Sequence, residues 1–233
     1  MNAERKTASL FGWLFIATFV LSIPAFFIFY APVLDTPNYI TGAGADESFL
    51  VGLGAVSEVL LIIANVGTAT VLYRIIKRQS ETGAISYVAA RIVEAIFIAI
   101  GIMAILTFLF LREDSPAIGD AALGQLLLGV YDRAFLIGPG FFAGLANGVI
   151  LGYLMYKSGL VPRGMTYLGL IGGPLVMLSG IAIMLGLFER GDPLQGLATI
   201  PEFFWELSLG IYCVVKGFKP SPILDDLVPA TTI

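Results

Sequence analysis

Histidine is missing from all 233 residues and cysteine occurs once, as Cys213. The first absence excludes His-ligated haem, the usual His-containing zinc and copper sites, and Ser-His-Asp or Cys-His catalysis. The second excludes an intramolecular disulfide. Charge is also scarce, at 13% of residues, against about 25% in an ordinary soluble domain. The formal net charge is -4 and no basic run occurs, so no nucleic-acid partner is expected. No lysine falls mid-way along an apolar run, which argues against a Schiff-base chromophore. No strand precedes Gly138-Pro139-Gly140, so that segment is not a nucleotide-binding loop. No cofactor or metal motif is visible. A carboxylate-only metal site stays open, but the missing Glu-x-x-His pattern argues against a di-iron bundle.

What fills the chain instead is apolar: 58% of residues are hydrophobic and the mean hydropathy is +0.91. A water-soluble fold of this length has too little interior to hide that much apolar surface, so lipid must be the solvent for much of it. Six runs are long enough to cross a bilayer, which takes about 20 residues. They cover roughly 9–33, 49–76, 85–111, 121–156, 165–188 and 197–218. Unpaired backbone groups are too costly in hydrocarbon, and the runs lack the alternation of a barrel strand, so each is a helix. The fold class is therefore all-α, a six-helix transmembrane bundle. Arg5 and Lys6 before the first run also suit a cleaved signal peptide. The run from 10 to 30 is longer than a signal core, rich in aromatics and without a small-residue cleavage site, so it reads as the first span.

Loop charge orients the bundle. Arg5, Lys6, Arg74, Lys77, Arg78, Lys157, Arg163, Lys216 and Lys219 all fall in one set of connections. The other set has only Arg112 and Arg190, beside Asp35, Asp46, Glu47, Glu113, Asp114, Asp120, Glu189 and Asp192. The basic set belongs in the cytoplasm. This predicts a multi-pass protein of the inner (plasma) membrane with both termini cytoplasmic. A single transmembrane bundle over 1–219 is expected, followed by a poorly ordered tail over 220–233. The outer connection over 31–48 is long enough to be a lid or a linker.

Ionisable groups inside a membrane are costly and usually face the bundle interior. Seven occur within the spans: Glu58, Arg91, Glu94, Asp132, Arg133, Glu202 and Glu206. Five carboxylates cannot each pair with one of two guanidiniums, so some must be protonated, hydrated or matched by a cation. Glu202 lies nearest an outer interface and is the least committed to the interior. Glu58, Arg91, Glu94, Asp132, Arg133 and Glu206 are the candidate ligand-binding residues. The competing reading is a set of ion pairs that only fix helix packing. Arg91 and Glu94 are three apart and share a helix face. Asp132 and Arg133 point about 100° apart and need different partners, such as Glu58 or Glu206.

Gly138-Pro139-Gly140 interrupts the fourth run. Proline removes a helical bond and glycine loosens the turn, so a broken fourth helix is expected, lining a site or simply kinked for packing. Pro24 and Pro174 bend the first and fifth runs, and three bent spans suit a bundle around a cavity. Gly140, Gly144, Gly148 and Gly152 form a small-residue stripe, suited to internal packing or to a homo-oligomer face. Ala64-Asn65 in the second run and Ala146-Asn147 in the fourth suggest a faint parallel repeat. Phe203, Phe204 and Trp205 between Glu202 and Glu206 suit an interfacial belt or, less simply, a cage for a cationic amine.

These segments resemble the bacterial membrane-protein family known as domain of unknown function 4386. The resemblance rests on Ser57-Glu58-Val59, on Ala90-Arg91-Ile92-Val93-Glu94-Ala95, and on the turn from Gly152-Tyr153-Leu154 through Tyr156-Lys157-Ser158-Gly159-Leu160-Val161-Pro162-Arg163. Glu206-Leu207 and Val214-Val215-Lys216-Gly217 complete it. Where such proteins carry a polar or acidic segment in the fourth span, this chain has Tyr131-Asp132-Arg133. The resemblance implies the topology and no chemistry. Three functions follow from the residues: binding or transport of a small cation, proton or amphipathic molecule at an intramembrane acidic site; an accessory subunit whose charges hold helices or a protein partner; and an intramembrane lipid-modifying enzyme. Membrane lipid is a partner under all three, and the last lacks any visible nucleophile-base pair.

Overall fold

The computed structural model describes residues 3–36, 39–41, 46–114 and 121–227. Among these the regular structure is helical, and six helical segments are long and apolar enough to cross a membrane. The chain is a multi-pass membrane protein. The first span covers Ala3–Asp35 and comprises α1 (Ala3–Pro24), a π-wound turn (Ala25–Phe29) and α2 (Ala31–Asp35). The second is α3 (Ser48–Ile76) and the third is α4 (Glu81–Asp114). The fourth runs from α5 (Ala121–Ile137) through π-wound Gly138–Phe142 and Gly144–Leu151 into α6 (Gly152–Ser158). The fifth is α7 (Arg163–Met184) and the sixth is α8 (Pro193–Val215).

Helix ends differ from the apolar runs for identifiable reasons. The fifth span stops at Met184 because Gly186 turns left-handed at φ 71°, a backbone that glycine adopts freely. The sixth starts earlier than its apolar run. Asp192 accepts from the Leu194 N–H at 2.8 Å, and Pro193 needs no partner at the first helical position. It ends where Gly217 takes φ 77° and donates back to the Tyr212 carbonyl at 3.2 Å.

The π-wound stretches Ala25–Phe29 and Gly138–Phe142 accompany proline. Proline has no N–H for the i→i−4 ladder, and the chain re-pairs one residue further on. After Pro24, the Tyr30 N–H reaches the Ala25 carbonyl at 2.9 Å. At Gly138-Pro139-Gly140 the Ala143 N–H donates to the Gly138 carbonyl, with helical dihedral angles at Ile137 and Ala143 on either side.

Each span packs on its chain neighbour, and the sixth returns against the first, so the helices close a ring. Two tight crossings fix it. A Cβ on Gly12 would meet the Gly210 carbonyl at 2.6 Å, joining α1 to α8. A Cβ on Gly173 would meet the Gly144 carbonyl at 2.5 Å, joining α7 to the fourth span. The stripe Gly144, Gly148 and Gly152 thus packs against α7, within the bundle.

The end bearing the basic connections is filled by Phe11, Phe15, Leu72, Ile76, Tyr87, Leu154, Leu160 and Trp205. The turns there are tied together. The Lys219 N–H donates to the Leu160 carbonyl at 2.8 Å, the Ser221 hydroxyl to the Ser158 carbonyl at 2.6 Å, and Arg78 to the Ile223 carbonyl at 3.3 Å. Residues 219–224 therefore lie against the bundle, with Leu224 buried. Of the segment expected to be poorly ordered, 228–233 lies outside the described residues, as do 37–38 and 42–45 of the long outer connection. At the opposite end Tyr30, Val33, Tyr39, Ile40, Ile105, Phe108 and Tyr131 form a second core.

Candidate functional site

Between these two cores lies a cavity of about 920 Å³. Five spans line it, together with the 190–192 turn; no α7 residue does. Phe27, Ile200 and Phe204 line the cavity yet are 70%, 46% and 54% exposed. The cavity therefore opens sideways, between the first and sixth spans. Ile200 is seven residues into α8, about 10 Å from its end, so the opening faces the side of the bundle as well as its tip.

The polar lining falls into three clusters. In the first, Arg91 donates to Glu94 Oε2 at 2.6 Å and to Asn65 Oδ1, while the Asn65 amide donates to Glu94 Oε1 at 3.1 Å. All three are at most 4% exposed. A guanidinium, a carboxylate and an amide thus satisfy one another and join α3 to α4. In the second, the Asn147 amide donates to Glu206 Oε1 at 2.6 Å, and Asn147 Oδ1 accepts from the Tyr87 hydroxyl at 3.3 Å. Asn147 lies in the π-wound stretch, and its backbone carbonyl accepts the Trp205 indole N–H at 2.9 Å. In the third, Glu58 accepts from the Tyr30 hydroxyl at 2.9 Å.

Asp132 and Arg133 part company. Asp132 lines the cavity and pairs with Arg190 of the turn between α7 and α8. Arg133 is exposed and borders a shallow groove on the flank, between α4 and α5. It joins neither Glu58 nor Glu206. The expectation that Asp132 pairs with one of its fellow candidates does not describe the geometry either, because its partner is a loop residue. Pro139 lines the cavity from within the π-wound stretch Gly138–Phe142.

Glu202 is not the interfacial residue that its position near a span end suggests. It is 4% exposed, and among the described residues neither carboxyl oxygen has a hydrogen-bond partner. Its carboxyl lies against glycines: a Cβ on Gly148 would meet Glu202 Oε2 at 2.6 Å, and one on Gly172 at 2.9 Å. Small residues there let the sixth span press a glutamate into the crossing of the fourth and fifth.

A family model described as domain of unknown function (DUF4386) matches residues 10–217. The chain belongs to that family. No curated protein and no solved structure matches it. The match takes in most of the first membrane-crossing segment, all of the other five and every residue of the three clusters. Membership is the one expected from the resemblance, and it leaves the chemistry to be argued from the site.

The residues missed by sequence reasoning are Asn65, Asn147, Tyr30, Tyr87 and Arg190. A signal existed for two of them. The Ala-Asn pairs of the second and fourth spans mark the two amides that hold the buried acids. Nothing in composition marks Arg190, whose role depends on a turn folding back over the cavity. Among the described residues no three His, Cys, Asp or Glu side chains are grouped to hold a metal ion.

Proposed function

We propose that the cavity binds an amphipathic small molecule carrying a positive charge. Its cationic group sits near Glu58 and Glu206, and its apolar body lies along Phe26, Phe27, Phe203 and Phe204 toward the lateral opening. The observation that carries this reading is the charge balance of the lining. Arg91 is matched by Glu94 and Arg190 by Asp132, while the hydrogen-bond partners of Glu58 and Glu206 are neutral groups, Tyr30 and Asn147. Among the described residues these two inner carboxylates therefore have no salt-bridge partner, in a largely apolar cavity where an arriving cation meets little competing solvent. The lateral opening favours a ligand that partitions into lipid over one that travels only through water.

On the orientation read from loop charge, the basic end is cytoplasmic and the cavity opens toward the opposite leaflet of the plasma membrane. The closed core at the basic end makes this one of two access states needed for transport. The Asn65–Arg91–Glu94 cluster, satisfied within itself, supports a packing role for those three residues alone.

The test is equilibrium binding of radiolabelled decyltrimethylammonium, below its micellar concentration, to purified protein in nonionic detergent, with decanol as the uncharged comparison. Glu58→Gln and Glu206→Gln are each expected to weaken cation binding about tenfold, the equivalent of about 1.4 kcal/mol, and to leave decanol binding unchanged. Cation binding that persists undiminished in the double variant would sink the proposal.

A further inference from the structure

The turn over 185–192 carries one side chain back into the bundle. Arg190 is bracketed by Gly186 at φ 71° and Gly191 at φ 88°, both left-handed, so the turn is shaped by residues that no other side chain replaces cheaply. The Arg190 guanidinium carbon lies 4.4 Å from the ring centre of Phe135, 5.5 Å from that of Phe26 and 5.7 Å from that of Tyr131. The same guanidinium donates to Asp132 Oδ1. Three aromatic rings and one carboxylate, drawn from the first and fourth spans, surround one cation. Ring quadrupoles attract a cation within about 6 Å, and such cages are the recurrent means of holding quaternary ammonium and guanidinium groups. The carboxylate adds charge-assisted hydrogen bonding. The cage takes only the guanidinium itself from the turn between α7 and α8.

We infer that Phe26, Tyr131, Phe135 and Asp132 form a cation-binding site at the cavity mouth for a guanidinium or alkylammonium group, which Arg190 fills from within the chain. An incoming cation competes with Arg190 for the cage and, on taking it, releases the α7–α8 turn from the fourth span. The mouth site uses a different carboxylate from Glu58 and Glu206, so it stands whether or not those bind a cation.

A tethered group competes at an effective concentration of about millimolar. Where the intrinsic Kd of the cage for such a group is about 0.1 mM, removing the tethered competitor should therefore improve binding of a free cation about tenfold. The probe is methylguanidinium, titrated into the full-length protein in nonionic detergent and followed by saturation-transfer NMR. Arg190→Ala is expected to bind it about tenfold more tightly than the wild type. Adding Asp132→Asn should abolish the gain. Repeating Arg190→Ala in a Glu58→Gln, Glu206→Gln background should preserve it. No gain on removing Arg190, a gain that survives Asp132→Asn, or a gain lost in the background without the inner carboxylates would each overturn the inference. The last of these would instead place the binding at the inner pair. Should Arg190→Ala fail to fold, Arg190→Gln keeps the polar reach of the turn, removes its charge and is read against the same outcomes.

Discussion

Replacing Asn147 by alanine separates a structural joint from a bystander. The Asn147 side chain is 1% exposed and makes two interhelical hydrogen bonds, one from Tyr87 and one to Glu206. Bonds of this kind within a membrane contribute about 0.6 kcal/mol each on average and up to about 1.7. The substitution also leaves the half-buried Glu206 carboxyl, in the cavity wall, without its amide donor, which costs about 1–3 kcal/mol more. The expected total is about 2–4 kcal/mol of lost stability. The Asn147 backbone carbonyl still accepts from Trp205, so that indole stays in place as a reporter. Trp205 is fully buried and the other tryptophan, Trp13, is 58% exposed. A Trp13→Phe background therefore isolates one buried fluorophore for equilibrium unfolding in mixed micelles. In a Glu206→Leu background the carboxyl is gone, and Asn147→Ala should cost under about 1 kcal/mol. A loss below about 0.5 kcal/mol, or an equal loss in both backgrounds, would refute the claim that this amide supports Glu206.

Gly173→Ala should cost at least about 2 kcal/mol, because its methyl group would enter the backbone of the fourth span, whereas Gly52→Ala meets nothing within 4 Å and should be neutral or mildly stabilising in the same unfolding assay. Glu202→Met should preserve or raise the melting temperature, since it replaces a buried group without hydrogen-bond partners among the described residues with an apolar chain of similar length; a marked drop would mean that Glu202 has a partner in the membrane. Outside the membrane, the Ser48 hydroxyl and backbone N–H hold the Asp46 carboxyl below its ordinary pKa. Ser48→Ala should move the Asp46 titration upward, read by NMR. Because a lowered folded-state pKa adds stability above the unfolded value and loses it as pH falls, the small contribution of this pair disappears on acidification.

Much of the architecture was legible because lipid imposes a simple rule. A run of apolar residues long enough to cross must be a helix, and the basic residues mark one end of every hairpin. The ionisable residues Glu58, Arg91, Glu94 and Glu206 stood out for the same reason. What the pattern cannot carry is rotation about a helix axis and contact across the ring. Asp132 and Arg133 are neighbours in the chain, yet one faces the cavity and the other the flank. Glu202 lies near the start of α8, where depth suggests an interface, but Gly148 and Gly172 let it sink into a three-helix crossing. The partner of Asp132 is 58 residues away in a turn, and no local signal points there. Apolar runs also overshoot helix ends such as Met184, because hydropathy does not register a left-handed glycine.

The contact between Arg5 and the end of α8 bears on how the protein is made. Arg5 donates to the Cys213 carbonyl at 3.0 Å, the Val214 carbonyl at 2.7 Å and the Val215 carbonyl at 2.9 Å. The last carbonyls of a helix have no partner within it. Here they are satisfied by a side chain synthesised 208 to 210 residues earlier. Membrane insertion thus proceeds with the ring open along one side until the sixth helix leaves the translocation machinery and meets the first. Until then the α1–α8 contact is unmade, whereas Asn65, Arg91 and Glu94 already have one another as partners across the second and third spans. The three carbonyls at the end of α8 thus gain their donor only when the last span closes on the first.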